Sequence, residues 1–187
     1  MLPRYRDHMP ITVPTYAAEQ VRAAEAPLLA AGIPLMRRAA HALAEVIGRH
    51  APQRMLVLAG AGDNGGDALY AASELAPNSH VDVLRTADRV HDAALDAATA
   101  AGAHIVERPD PGGYDLVIDG ILGIGAHGGL RGAARDAVTA LLPTRPRVVA
   151  VDLPSGLDPD SGASDGIVLP AATGTAEIAG IRDARAD

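Results

Sequence analysis

A chain of 187 residues with 48% hydrophobic and 21% charged side chains has the composition of one globular domain, which argues against disorder and fibrous repeats. It contains no cysteine, so disulfide scaffolds, thiolate zinc sites and cysteine nucleophiles are excluded. The net charge of -7 and the 2% aromatic content argue against a nucleic-acid partner, and no apolar run predicts a secretion signal or a membrane span, so we expect a cytoplasmic protein.

The first quarter of the chain predicts two helices. Apolar residues among alanines predict a helix over 15–31, capped by Thr15 and ended by Gly32. A second helix is predicted to follow from Pro34 to about residue 47, because apolar side chains recur there at helical spacing and a proline is tolerated in a first helical turn.

From residue 54 onward, short aliphatic runs alternate with amphipathic stretches. Nearly apolar strands that alternate with helices are typical of a parallel sheet covered on both faces. We therefore predict one α/β domain over residues 1–187, a three-layer, Rossmann-like, doubly wound and mainly parallel sheet preceded by the two helices. The predicted strands are 55–59, 80–85, 104–107, 114–119 and 147–153, with a short one at 174–179, and the predicted helices are 66–76, 88–101 and 130–142.

Ligands of such sheets bind beyond the carboxyl ends of the strands, and three of the turns there are distinctive. The turn over 60–67 contains G-x-G-x-x-G, whose glycines allow close approach of the backbone to a phosphate at a helix N-terminus. The turn over 119–129 repeats this spacing, and the turn over 151–158 places an aspartate and a serine around a rigid proline. Each motif alone is also compatible with a purely structural turn, but three at successive strand ends favour a site.

The three turns offer carboxylates at Asp67, Asp119 and Asp152 and further oxygens at Asn64 and Ser155. Carboxylate, amide and hydroxyl oxygens suit a hard cation, whereas backbone amides suit phosphates. The turns therefore predict a phosphorylated ligand with an ion nearby.

In order and separation, these turns resemble those of the NAD(P)H-hydrate epimerase family, also called the YjeF N-terminal domain family. The family patterns G-x-G-N-N-G-G-D-G, D-x-x-x-G-x-G and V-D-I-P-S-G-L-D are similar to residues 60–67, 119–125 and 151–158, and the resemblance extends over about 15–162. It implies an isomerase that interconverts the R and S epimers of hydrated NADH and NADPH in nicotinamide nucleotide repair. A separate NAD(P)H-hydrate dehydratase would then be its functional partner.

The resemblance also implies roles for individual residues. Asp152 is the expected catalytic group, and Asn64, Asp119 and Ser155 are the expected ligands of a potassium ion. The expected substrate-binding residues are Asp63, Asn64, Gly65, Gly66, Asp67, Gly123, Ile124, Gly125, Ala126, His127, Gly128, Gly129 and Asp152.

The chain departs from the family pattern in two places. Asp63 stands where the family usually has asparagine, which adds a negative charge beside a phosphate-rich ligand. The tail over 163–187 is incomplete relative to the family and lacks its lysine, and no lysine occurs elsewhere in the chain. A sheet shortened in this way exposes an edge, so we expect either a homodimer contact over that edge or a loss of activity.

Two other functions remain open from the sequence. One is a non-catalytic nucleotide-binding or scaffold member of the same fold. The other is an NAD(P)-dependent oxidoreductase, which would need an acidic ribose ligand after the second strand, where Arg85 and Thr86 stand instead. The seven histidines show no metal-binding spacing along the sequence, and only His127 in the second turn is a candidate site residue.

Overall fold

The computed structural model describes residues 18–125, 128–159 and 161–170. Its helices and strands alternate along the chain after two opening helices, as the sequence predicts. In chain order the elements are α1 (Ala18–Ala30), α2 (Leu35–Gly48), β1 (Arg54–Ala59), α3 (Asp63–Leu75), β2 (His80–Arg85), α4 (Asp92–Ala100), β3 (His104–Val106), β4 (Leu116–Gly120), α5 (Gly132–Leu141), a 3₁₀ turn (Leu142–Thr144) and β5 (Val148–Ala150).

The strands form one sheet in the order β3-β2-β1-β4-β5, and every pair is parallel. The chain moves outward from β1 to β3 and then crosses back to place β4 on the other side of β1. The connections that follow β1 and β4 therefore run in opposite directions along the sheet. This arrangement opens a crevice beyond the carboxyl ends of the two strands. The predicted doubly wound α/β fold is confirmed.

Two apolar cores cover the two faces of the sheet. Met55 and Val57 of β1 pack into the core with α2, α3 and α4, whereas Leu56 and Leu58 pack into the core with α5. This alternation follows from the strand geometry, because successive side chains point to opposite faces. The two cores produce the three layers that the sequence predicts.

Helix α3 begins three residues earlier than the prediction, at Asp63 instead of Gly66. The glycines of this turn permit the earlier start because the helix lies against the end of β1. A Cβ atom on Gly65 would collide with the carbonyl oxygen of Gly60, and a Cβ on Gly60 would collide with the carbonyl oxygen of Ile121. Consequently, the first turn of a helix, and not a loop, carries the candidate residues that follow Asp63.

Strand β5 ends at Ala150, three residues before the predicted end. Asp152 has a φ of 65°, in the left-handed region, so the backbone turns away from the sheet at this residue. The predicted strand over 114–119 begins later because the Asp115 carboxylate accepts hydrogen bonds from the backbone amides of Gln53 and Arg54, each at 2.9 Å.

Two predicted helices are shorter than expected. Helix α4 begins at Asp92 because the His91 imidazole accepts a hydrogen bond from the Ala94 amide at 3.1 Å, which caps the helix there. Helix α5 ends where Pro143 enters the 3₁₀ turn. Residue 15 and the predicted strand at 174–179 lie outside the described residues. Within the described part of the chain, no helix has the length and apolarity needed to cross a bilayer.

Candidate active site

The three distinctive turns meet at the crevice between β1 and β4. The first turn links β1 to α3, the second follows β4, and the third follows β5. Strand register places Ala59 of β1 beside Gly120 of β4, and Asp119 of β4 beside Ala150 of β5. The fold therefore brings together groups that lie up to about a hundred residues apart in the sequence, at the place where ligands bind in sheets of this type.

Asp119 and Ser155 form the buried floor of the crevice. The Asp119 carboxylate accepts hydrogen bonds from the Ser155 hydroxyl at 2.6 Å and from the Ser155 backbone amide at 2.8 Å. The Ser155 hydroxyl in turn accepts a hydrogen bond from the Leu122 amide at 2.9 Å. Complete burial raises the pKa of Asp119, and the hydrogen bonds from Ser155 and Ile121 oppose this rise. These contacts tie the third turn to the second.

Asn64 links the first turn to both of the others. Its amide nitrogen donates to the carbonyl oxygens of Leu122 at 3.2 Å and Val151 at 3.0 Å. Leu122 is also hydrogen-bonded to Ser155, and Ser155 is hydrogen-bonded to Asp119. The three predicted metal ligands therefore lie close together. The structure thus gathers carboxylate, hydroxyl, carbonyl and amide groups, which is an oxygen-rich donor set of the kind that hard cations use.

Asp67 is a half-buried carboxyl group in the first turns of α3. Its Oδ1 atom is buried and has no hydrogen-bond partner among the described residues. Burial is the main cause that raises the pKa of Asp67 to about 7, and the negative charges of Asp152, Asp63 and Glu25 raise it further. At neutral pH this carboxyl therefore holds a proton in a substantial fraction of molecules, which makes it suitable for proton transfer.

Replacing Asp67 by asparagine should stabilise the protein above neutral pH. The pKa is about 7 in the folded chain against an ordinary value of 3.8, so the folded state holds the proton longer and stability falls as the pH rises from about 4 to 7. Asparagine cannot ionise and escapes this loss. We expect the free energy of unfolding of Asp67→Asn to exceed that of the parent by about 1–2 kcal/mol at pH 8. This figure allows for solvent screening of a partly exposed group.

Thermal unfolding of parent and variant between pH 4 and 9 measures this effect. The advantage of the variant should grow through the window from pH 4 to 7 and then level off. Asp96→Asn, at an exposed position on α4, is the matched control and should show no such growth. A constant difference between Asp67→Asn and the parent across the whole range would contradict the raised pKa.

Asp152 is exposed at the mouth of the crevice, in contrast to Asp67. The second turn passes very close to it. A Cβ atom built on Gly123 would lie 2.6 Å from Asp152 Oδ2 and would collide with the Asn64 amide. A residue larger than glycine would therefore displace one or both of these side chains, so the second turn helps to hold them in position.

Helix α1 adds two charged side chains that the sequence analysis missed. Glu25 is one of the negative groups that raise the pKa of Asp67. Arg22 places its guanidinium 3.3 Å from the position of a Cβ on Gly125, beside the second turn. The resemblance covered this helix, but its sequence pattern alone did not indicate which side chains reach the crevice.

Apart from Asp152, the predicted substrate-binding residues fall into two groups. Residues 63–67 form the first turn of α3, and residues 123–125 and 128–129 line the second turn. A Cβ atom on Gly129 would lie 2.9 Å from Asp165 Oδ2, and Asp165 pairs with Arg135 of α5 at 2.5 Å, so residues after the third turn pack beside the second. Ala126 and His127 lie outside the described residues.

Comparison with known proteins gives a consistent family match. A family model described as YjeF-related protein N-terminus matches residues 32–178. An NAD(P)H-hydrate epimerase of Microbacterium testaceum is 58% identical over 171 residues, covering 85% of this chain and 67% of the relative. An NAD(P)H-hydrate epimerase of Clavibacter michiganensis is 51% identical over 175 residues, covering 83% of this chain and 76% of the relative.

Two further matches show how the same region is used elsewhere. A protein of Mycobacterium tuberculosis named bifunctional NAD(P)H-hydrate repair enzyme Nnr is 44% identical over 170 residues, which is 84% of this chain but only 36% of that relative. The crystal structure of yeast ynu0 superposes with a TM-score of 0.75 at 19% identity, covering 86% of this chain and 78% of the yeast chain. This structural match shows a shared fold.

Proposed function

The chain belongs to the family of YjeF-related protein N-termini, and from this premise we propose that it is an NAD(P)H-hydrate epimerase. It would interconvert the R and S epimers of hydrated NADH and NADPH, as an isomerase of nicotinamide nucleotide repair. The observation that carries the proposal is the crevice between β1 and β4, where Asp67 and Asp152 lie close enough for the charge of one to raise the pKa of the other. Named relatives with 51–58% identity support the same activity.

The reaction requires only proton transfer and exclusion of bulk water. The hydrated ring carries a hydroxyl group beside the ring nitrogen, whose lone pair can expel that group once an acid protonates the leaving oxygen. Water then adds to the cationic ring from either face and returns the proton to a base. A carboxyl group that gives and regains one proton in a sheltered crevice is sufficient for both steps.

We assign the contact with the reacting ring to Asp152, because it stands at the open mouth of the crevice. Asp67 lies deeper and is protonated in part at neutral pH, since its pKa is about 7. The two carboxyl groups can then share the acid and base roles. The negative charge of Asp152 disfavours a second negative charge beside it, which is one of the causes that raise the pKa of Asp67.

The first and second turns are the proposed substrate-binding walls. The N-terminal turn of α3 contributes residues 63–67 with their backbone amides, which suit phosphate oxygens. The second turn contributes residues 123–129, including Ala126 and His127, whose roles rest on the family resemblance. Arg22 adds a positive charge beside Gly125, where it would offset the negative charges of Asp63 and of the phosphates.

A potassium ion is proposed to bind Asn64, Asp119 and Ser155. The observed donor set fits it, because Asn64 and Ser155 both contact the Leu122 carbonyl oxygen and Ser155 is hydrogen-bonded to Asp119. The Val151 carbonyl oxygen also lies beside Asn64. Which way the Asn64 amide points depends on its neighbours, so its oxygen would turn inward when an ion replaces its amide nitrogen at these carbonyls. When bound, the ion supplies positive charge that holds the two turns together beside the substrate.

Activity should depend on potassium through Ser155. Ser155→Ala removes the hydroxyl that donates to Asp119 at 2.6 Å and accepts from Leu122, so the ion site loses one oxygen and its carboxylate loses its shortest hydrogen bond. We expect the potassium concentration for half-maximal epimerase activity to rise at least tenfold. The measurement is a titration of the rate with potassium chloride at constant ionic strength.

Ser73→Ala is the matched control for Ser155→Ala. The Ser73 hydroxyl also donates a single hydrogen bond, to the Tyr70 carbonyl at 2.7 Å, but it lies on the body of α3. This control should leave the potassium dependence unchanged. An unchanged potassium titration in Ser155→Ala would contradict the proposed ion site.

The direct test of the function uses the pure R epimer of hydrated NADH. Purified protein should convert it to the S form, followed by chromatography, and potassium should raise the rate. Nucleotide binding without conversion would favour the non-catalytic alternative, which the extra negative charge of Asp63 supports.

An oxidoreductase is not favoured, because β2 is followed by Thr86, whose hydroxyl donates to the Ala59 carbonyl at 2.9 Å, and not by an acidic residue.

Partners and location remain proposals. We propose a homodimer, because β3 and β5 are the edges of the sheet within the described residues and an edge strand can pair with another chain. A separate NAD(P)H-hydrate dehydratase, specific for one epimer, would be its functional partner. The bifunctional relative is consistent with this pairing of activities, since the matched region occupies 36% of it. The cytoplasmic location and the single domain over 1–187 also remain predictions.

A further inference from the structure

A cluster of two histidines and one aspartate lies at the opposite end of the sheet from the candidate active site. His80 and Asp82 belong to β2, and His104 begins β3. Each residue offers one ligand atom, and these atoms all lie within 4.8 Å of one another. The linear order of the histidines did not reveal this group, because it joins a His-x-Asp pair to a residue of the neighbouring strand.

The sheet geometry places the three side chains on one face. His80 and Asp82 are two residues apart on a strand, so they point to the same side, and strand register puts His104 directly beside Asp82. Leu84, the next residue in this alternation, packs in the core under α5. The cluster therefore occupies the amino-terminal end of that face, where both imidazoles are exposed and stack with ring centroids 5.1 Å apart.

The buried Asp82 carboxylate is oriented by its neighbours. Its Oδ2 atom accepts hydrogen bonds from Tyr114 at 3.1 Å and from Arg54 at 3.3 Å, and its Oδ1 atom lies 2.9 Å from His80 Nε2. Arg54 is also paired with Asp110 at 2.9 Å. One carboxylate oxygen is thus held in place from behind, while the other faces the two imidazoles, which is the usual arrangement of a supported metal ligand.

We propose that His80, Asp82 and His104 bind a zinc ion that fastens the edge strand β3 to β2. Two imidazoles and a carboxylate are ligands that zinc prefers, with water completing the coordination. Tetrahedral zinc with bonds of about 2.0–2.1 Å separates its ligand atoms by about 3.4 Å, so binding would require the two exposed imidazoles to rotate until their ligand atoms converge. The ion would take the place of the direct contact between His80 Nε2 and Asp82 Oδ1.

Strand β3 is short and exposed, so a metal ion that binds it to β2 would stabilise it. It has three residues, none of them buried, and Ile105 at its centre is 51% exposed. It pairs with another strand, β2, along one side only. Because a metal that binds only the folded chain stabilises it by mass action, zinc should raise the unfolding temperature. The site lies about 10–17 Å from the carboxyl end of the six-residue strand β2, at the opposite end of the sheet from the crevice, so it takes no part in the proposed reaction.

Titration of the full, untagged chain with zinc chloride in a calorimeter tests the proposal. We expect one zinc ion per chain, and binding at least tenfold weaker in both His80→Gln and His104→Gln. His50→Gln, an exposed histidine at the end of α2, is the matched control and should bind zinc like the parent. Zinc should raise the unfolding temperature of the parent and of this control, but not of the two cluster variants.

Several results of this titration would contradict the proposed zinc site. Absence of saturable zinc binding by the parent would overturn the proposal. Binding that persists in both cluster variants, or that is lost in only one of them, would also overturn it, because both imidazoles are required as ligands. These measurements need no epimerase assay, so their result stands apart from that of the proposed function.

Discussion

Asp152→Asn is expected to lower the rate of epimerisation by about 10²–10⁴, which is the usual contribution of a positioned acid or base. The substitution removes the ionisable carboxyl group that we place at the reacting ring and keeps the size of the side chain. Asparagine also tolerates the left-handed backbone at this position, where φ is 65°. The loss should therefore appear in the rate constant, with the unfolding temperature close to that of the parent.

Two comparisons define what this result means. Asp96→Asn, with the same chemical change on the exposed side of α4, should keep the parental rate. Asp67→Asn should lower the rate as well and should remove the dependence of the rate on pH near 7, since the group with that pKa is gone. A parental rate in Asp152→Asn would show that Asp152 does not carry the proton.

The sequence predicted the sheet and the position of the crevice because both depend on local patterns. Apolar strands such as β1 alternate with amphipathic helices, and the glycine turns follow the strands directly. The strand order then follows from right-handed connections and the typical doubly wound arrangement. The start of α3 was harder to predict, since it depends on the contact between Gly65 and Gly60 and not on helix propensity.

The acid–base behaviour of Asp67 could not be predicted from local sequence. Three acidic neighbours raise its pKa, and they come from α1, the start of α3 and the turn after β5. Glu25 and Asp152 are distant from Asp67 along the chain, and Asp63 resembles an ordinary surface charge in the sequence. Burial contributes the largest share, and burial is a property of the assembled crevice. The sequence accordingly placed Asp67 among the substrate-binding residues without indicating a raised pKa.

The histidine cluster illustrates the same limit at the other end of the sheet. His80 and Asp82 form a short His-x-Asp pair, but the separation of 24 positions between His80 and His104 matches no metal motif. The register between β2 and β3 brings His104 beside Asp82. Side-chain groups that meet across parallel strands are invisible to spacing rules, because a whole helix separates them in the chain.

Gly123→Ala is expected to lower the rate of epimerisation by about 100-fold without removing any group that moves a proton. The added methyl group would occupy space taken by the Asn64 amide and would lie 2.6 Å from Asp152 Oδ2. Both side chains must move, and displacement of reacting groups by about 1 Å commonly costs this much in rate. Asn64 would also lose its bonds to the second and third turns, so the affinity for potassium should fall with the rate.

Gly48→Ala provides the matched control, because a Cβ atom at the end of α2 meets nothing within 4 Å among the described residues. It should leave both rate and potassium affinity at parental values. In an Asn64→Ala background, Gly123→Ala should cost less than it does in the parent, since the first collision is gone and the two effects are not additive for residues in contact. A Gly123→Ala variant with parental rate and parental potassium affinity would show that the second turn does not position Asn64 and Asp152 for the reaction.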